Sequence, residues 1–117
     1  MSRRPLSEQA FLVLTALADE PKHGYAIVHA VAELSADQVQ LPVATLYGIL
    51  DRLADDGLVE RDRDETHQGR LRRYYRLTDG GLHALANEAN RLAANLRAIR
   101  TALRARGVRT SAAGQSS

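Results

Sequence analysis

A chain of 117 residues has room for one domain core and little more, and its 44% hydrophobic and 26% charged content excludes general disorder. The absence of cysteine excludes disulfides, Cys-ligated zinc, iron–sulfur clusters and thiol catalysis together. The net charge of +2 hides an asymmetry: residues 1–60 carry four Lys/Arg against nine Asp/Glu and residues 61–117 twelve against five, so the second half favours an anionic partner, nucleic acid before an anionic membrane.

Met1 to Pro5 lead into Ser7-Glu8-Gln9 instead of an apolar signal core, and no run of about 18 apolar residues follows, so a cytoplasmic location is expected. Leu6, Ala10, Phe11, Val13, Leu14 and Leu17 recur at steps of three and four, which predicts a helix over residues 6–18 with Ser7 as N-cap. Asp19-Glu20-Pro21 ends it, because proline disfavours helical geometry in the residue before it. A second helix over residues 23–34 takes Tyr25, Ile27, Val28, Val31 and Leu34 as its apolar side. After the polar joint at residues 35–38 a third helix opens near Pro42, where a missing N–H costs nothing. Val43, Leu46, Ile49, Leu50 and Leu53 share one face, and Asp55-Asp56-Gly57 stops it, with Gly57 suited to a left-handed cap.

The texture then becomes extended. Residues 58–61 and 70–77 read as the two strands of a hairpin, the second with Tyr75 and Leu77 on one face and Tyr74 and Arg76 on the other. Between them Asp64 to Gly69 are polar enough to be an exposed tip. Thr78 caps a last helix, with Asp79 in its first turn. There Leu82, Leu85, Ala89, Leu92, Leu96, Ile99 and Leu103 alternate at steps of three and four, the narrow seam of helix against helix. From Gly107 onward apolar mass runs out and a disordered tail is expected.

Three short helices and a hairpin make a mainly α winged helix-turn-helix: residues 1–78 form the DNA-binding domain, 79–106 a dimerisation helix and 107–117 the tail. The third helix offers Ala44, Thr45, Tyr47, Gly48, Asp51 and Arg52 opposite its apolar stripe. The small residues allow close approach, while Thr45, Tyr47 and Arg52 can bond base edges or phosphates. The second wing strand carries Arg70, Arg72, Arg73 and Arg76 with no acid, and Gly69 lets the backbone come close to phosphates. A plain solvated face is the competing account of both. His23, His29, His67 and His83 are spaced too widely for a metal site, and no Ser/His/Asp set, phosphate loop or paired carboxylates appear, so neither catalysis nor a cofactor is expected.

Pro21-Lys22-His23-Gly24-Tyr25, Ala44-Thr45-Leu46-Tyr47 through Leu53, Asp55 to Val59, Arg72-Arg73-Tyr74-Tyr75-Arg76-Leu77-Thr78 and Gly81 together resemble the PadR family of bacterial transcriptional regulators, over about residues 6 to 105. The resemblance implies a repressor bound to a palindromic operator in double-stranded DNA as a homodimer, of the smaller subtype with a single C-terminal dimerisation helix, and released by an unknown effector. It also implies that Tyr25, Thr45, Tyr47, Gly69, Arg70, Arg72 and Arg73 face DNA. Members usually carry Pro where this chain has Gly48 and Gly where it has Ala44, so no target sequence transfers. The chain also lacks the tryptophans that clamp flat aromatic drugs in some small members. A winged helix used as a protein–protein adaptor for an acidic partner is the alternative. A membrane-surface role for residues 91–109 ranks below both, because that helix has no large aromatics.

Overall fold

In the computed structural model, which describes residues 6–111, the Ser7 hydroxyl accepts the Ala10 N–H at 3.1 Å and starts helix α1 (Glu8–Ala16). This helix buries Ala10, Val13, Leu14 and Ala16. Beyond it the Lys22 ammonium donates to the Ala16 carbonyl at 2.7 Å and to Asp19 Oδ1 at 2.6 Å, tying the helix end to a short strand, β1 (Lys22–His23). That hydrogen bond holds the Asp19 carboxyl below its ordinary range.

Helix α2 (Gly24–Leu34) buries Gly24, Ile27 and Val31. Tyr25 and Leu34, assigned by spacing to the apolar side, are 63% and 51% exposed. Tyr25 is two residues from Ile27, about 200° around the helix, and Leu34 is the final residue, at the rim of the core. The following turn places Ala36 and Asp37 at φ +51° and +65°, and the Ser35 hydroxyl steadies it by donating to the Val31 carbonyl and accepting the Val39 N–H, each at 2.9 Å.

Helix α3 (Val43–Asp55) starts one residue later than expected: Pro42 has extended geometry and stands as N-cap, and its carbonyl accepts the Leu46 N–H at 3.0 Å. Leu46, Leu50 and Leu53 are buried, Ile49 is half-buried and Val43 is exposed in the first turn. Gly57, at φ +76°, closes the helix as expected, with the Leu58 N–H returning to the Leu53 carbonyl at 2.9 Å.

Strands β2 (Val59–His67) and β3 (Arg70–Leu77) pair antiparallel, and β1 adds to the far edge of β3, giving the order β1-β3-β2. The hairpin is longer than its polarity suggested. Asp64 to His67 lie in β2 rather than in a loop, and only Gln68 and Gly69 turn the chain, at φ +52° and +78°. Asp64 faces Arg73 and Glu65 faces Arg72 across the ladder, so residues 64–67 are polar because both sides of the ribbon meet solvent. The register shifts between Arg61 and Asp64.

Thr78 caps helix α4 (Asp79–Ala105) by accepting the Gly81 N–H at 3.0 Å, while its own hydroxyl donates to the Gly57 carbonyl at 2.6 Å. Gly81 is buried against Leu58, whose carbonyl oxygen a Cβ there would overlap. The chain divides into two units, Met1–Leu85 and Ala86–Ser117. The first holds one core, in which Leu14, Ile27, Leu46, Leu50, Leu53, Leu58, Val59 and Tyr75 come together. The second is the remainder of α4, closed by Gly107 at φ +79°, and residues 108–111, which have no regular structure. Residues 112–117 of the expected disordered tail lie outside the described residues. No helix among the described residues is long and apolar enough to cross a membrane.

Candidate nucleic-acid interface

With Leu46, Leu50 and Leu53 directed inward, 3.6 residues per turn carries Ala44, Gly48 and Asp51 to the opposite side of α3. Ala44, Thr45, Tyr47, Gly48 and Asp51 are exposed as expected, and Arg52 is half-buried. Tyr47 leans on the start of α2: a Cβ at Gly24 would stand 2.8 Å from its hydroxyl oxygen, so a larger residue there would displace the ring. The His23-Gly24-Tyr25 triplet therefore divides its work. His23 meets the edge of the Tyr74 ring, with centroids 5.3 Å apart, Gly24 seats Tyr47, and Tyr25 projects outward. Burial, followed by the charges of Arg72 and His67, keeps the His23 imidazole below its ordinary pKa. No side chain caps the α2 N-terminus.

Strand pairing brings the wing tip beside these residues. His23, Gly24, Tyr25, Tyr47 and residues 70–73 line one open cavity of about 380 Å³, which unites seven of the residues in question: Tyr25, Tyr47 and Arg70, Arg72, Arg73 from the expected set, with His23 and Gly24 added by the structure. Gly69 sits at the turn immediately before it.

The wing arginines are not equivalent, a distinction the strand composition did not reveal. At the base, Arg76 is held by Glu60 at 2.8 Å and Asp62 at 3.3 Å, and Arg61 by Asp64 at 3.3 Å. Arg63 bonds Asp62 at 2.7 Å and Glu65 at 2.6 Å and lies 4.0 Å over the Tyr74 ring. Hydrogen bonds donated to Glu65 and Glu60 raise the pKa values of Arg63 and Arg76, and the Arg63 bond lowers that of Glu65. Such exposed pairs are individually weak, but they cancel charge where they form. Among the described residues no acidic partner stands within 4.0 Å of Arg70, Arg72 or Arg73, so the uncompensated charge gathers at the tip. Burial, followed by the neighbouring Tyr47, raises the pKa of the Tyr75 phenol behind this surface.

In the second unit Leu92, Leu96 and Ile99 are 53%, 41% and 56% exposed, Ala89 is exposed and Leu103 half-buried. In the first unit Leu82 is exposed and Leu85 half-buried. No three His, Asp or Glu side chains gather as a metal site among the described residues.

A three-helix core whose third helix stands free beside an arginine-tipped hairpin defines a winged helix domain. The chain belongs to the Transcriptional regulator PadR-like family, whose model matches residues 13–87. A PadR family transcriptional regulator from Eggerthella lenta is 29% identical, with a TM-score of 0.66 over 80% of each chain. Bacillus subtilis PadR, solved in complex with operator DNA, shares the fold at 22% identity and a TM-score of 0.64, over 73% of this chain and 48% of its own. An uncharacterised 37.1 kDa protein encoded in a transposon of Streptomyces fradiae is 40% identical over 87 residues, which are 74% of this chain. The chain spans 24% of that relative's length.

Proposed function

We propose that this chain represses transcription as a homodimer on a palindromic operator, each copy laying α3 in the major groove and its wing tip along the phosphate backbone. The observation that carries the reading is the cavity where Arg70, Arg72 and Arg73, with no acid within 4.0 Å among the described residues, stand beside Tyr25 and Tyr47 at the edge of α3. Ala44 and Gly48 leave the middle of that helix low enough to enter a groove, with Thr45, Tyr47 and Arg52 as its flanks and Gly69 next to the backbone. Operator DNA, present with the Bacillus subtilis relative, is the partner carried over here.

The exposed leucines and Ile99 of α4 join two copies, with Leu82, Leu85, Ala89 and Leu103 completing the seam, and hold the reading helices about 34 Å apart for successive major grooves. The protein acts in the bacterial cytoplasm, on the nucleoid when bound, without a cofactor or catalysis, and an effector of unknown class releases it.

Anisotropy of a labelled duplex drawn from mixed genomic fragments tests the reading. Binding is expected at micromolar protein, with competition by unlabelled duplex and loss at high salt. A duplex that stays free at about 50 mM salt would overturn it, leaving the winged helix as an adaptor for an acidic protein.

A further inference from the structure

The outward ridge of α3 carries a carboxylate at a surface meant for a polyanion. Ala44, Gly48 and Asp51 follow one another along the side opposite Leu46, Leu50 and Leu53. Ala44 and Gly48 have nothing to hold the helix off a groove floor, and a Cβ at Gly48 would meet nothing within 4 Å. Asp51 is the next side chain on the ridge. It is exposed, and among the described residues no Lys or Arg stands within 4.0 Å of it. Asp55, one turn further, is the final residue of the helix, which leaves Asp51 as the acid nearer the turns that hold Ala44 and Gly48.

An unpaired carboxylate this close to phosphates weakens binding to every sequence alike, since the Debye length is about 8 Å at physiological salt. It gains a return only where a base offers a donor. In the major groove the donors are the amino groups of cytosine and adenine. Adenine sets its amino group beside the N7 lone pair, which repels a carboxylate, while cytosine sets its own beside a C5–H. Guanine and thymine present acceptors at the corresponding edge.

We propose that Asp51 is a specificity-determining residue, its carboxylate accepting a hydrogen bond from the N4 amino group of one cytosine in each half-site. The assignment rests on the DNA-binding reading above. The side chain acts by discrimination: it penalises DNA in general and recovers the loss at one base.

The test is selection from a random duplex pool with the wild-type chain, Asp51→Ala and Asp51→Asn, followed by affinities for the selected site and for random duplex. The wild type should select a cytosine in each half-site, and its replacement by thymine should weaken binding about tenfold. Asp51→Ala should lose that preference and bind random duplex about two- to threefold more tightly, because one repulsive charge is gone. Asp51→Asn should turn the preference to adenine, whose N6 and N7 suit a carboxamide. It also keeps the side chain's shape, so the test survives if the alanine variant folds poorly. An unchanged selected site in both variants would overturn the assignment and leave DNA binding intact. A wild-type chain that binds no duplex would overturn the DNA-binding reading and this assignment with it.

Discussion

Gly48 and Gly81 stand in opposite surroundings, and stability measurements should separate them. At Gly48 a methyl group would meet open space in mid-helix, so Gly48→Ala should raise stability by about 0.5–1 kcal/mol through lower backbone entropy in the unfolded chain. At Gly81 the same methyl would strike the Leu58 carbonyl, part of the backbone that joins α3 to the wing, so Gly81→Ala should cost about 1–3 kcal/mol. Thermal unfolding followed by circular dichroism reads both. A Gly81→Ala protein that melts with the wild type would mean the start of α4 is not seated on Leu58. Gly24 differs again, for the atom in the way is the end of the Tyr47 side chain, which can swing. Its replacement by alanine should leave the melting temperature nearly unchanged, and its effect should appear in DNA affinity.

The elements divide by how much of them was legible. The helices were, because leucines at steps of three and four leave one burial solution and Ser7, Gly57 and Thr78 mark their ends. The outward face of α3 followed by subtraction. Strand β1 was not legible, since two residues carry no period, and the outer half of β2 reads as a loop in sequence because a ribbon wet on both faces shows no alternation of apolar and polar residues. The pairing of Glu60 and Asp62 with Arg76 depends on strand register, which sequence spacing leaves open. That pairing has a consequence for the wing. Removing Arg72 or Arg73 should lower the slope of log K against log salt by about 0.9 for each lost phosphate contact. Removing Arg76, already compensated, should change the slope far less. Anisotropy titrations across a salt series decide it, and equal losses for all three arginines would show that the charge at the wing base is as available as that at the tip.

For the whole molecule, the charge asymmetry between the two halves of the sequence is partly spent inside the wing, where acids of β2 meet arginines of β2 and β3. Along α4, Leu92, Leu96 and Ile99 are exposed together with Arg91, Arg97 and Arg104. A helix that places Leu92, Leu96 and Ile99 in water carries a cost that a second copy removes by covering them, at roughly 25 cal/mol for each Å² of apolar surface buried. Replacing Leu96 with aspartate would bury an unpaired carboxylate at that contact, a far larger penalty than the loss of one leucine. Sedimentation velocity at micromolar concentration should therefore find a dimer for the wild type and a monomer for Leu96→Asp. The variant's winged helix should remain folded, because Leu96 belongs to the second unit and the core to the first. Operator affinity should fall to that of one half-site, since two reading helices no longer arrive together. A wild-type chain that sediments as a monomer, or a Leu96→Asp protein that stays dimeric with full affinity, would remove the seam from the mechanism and require another surface to join the copies.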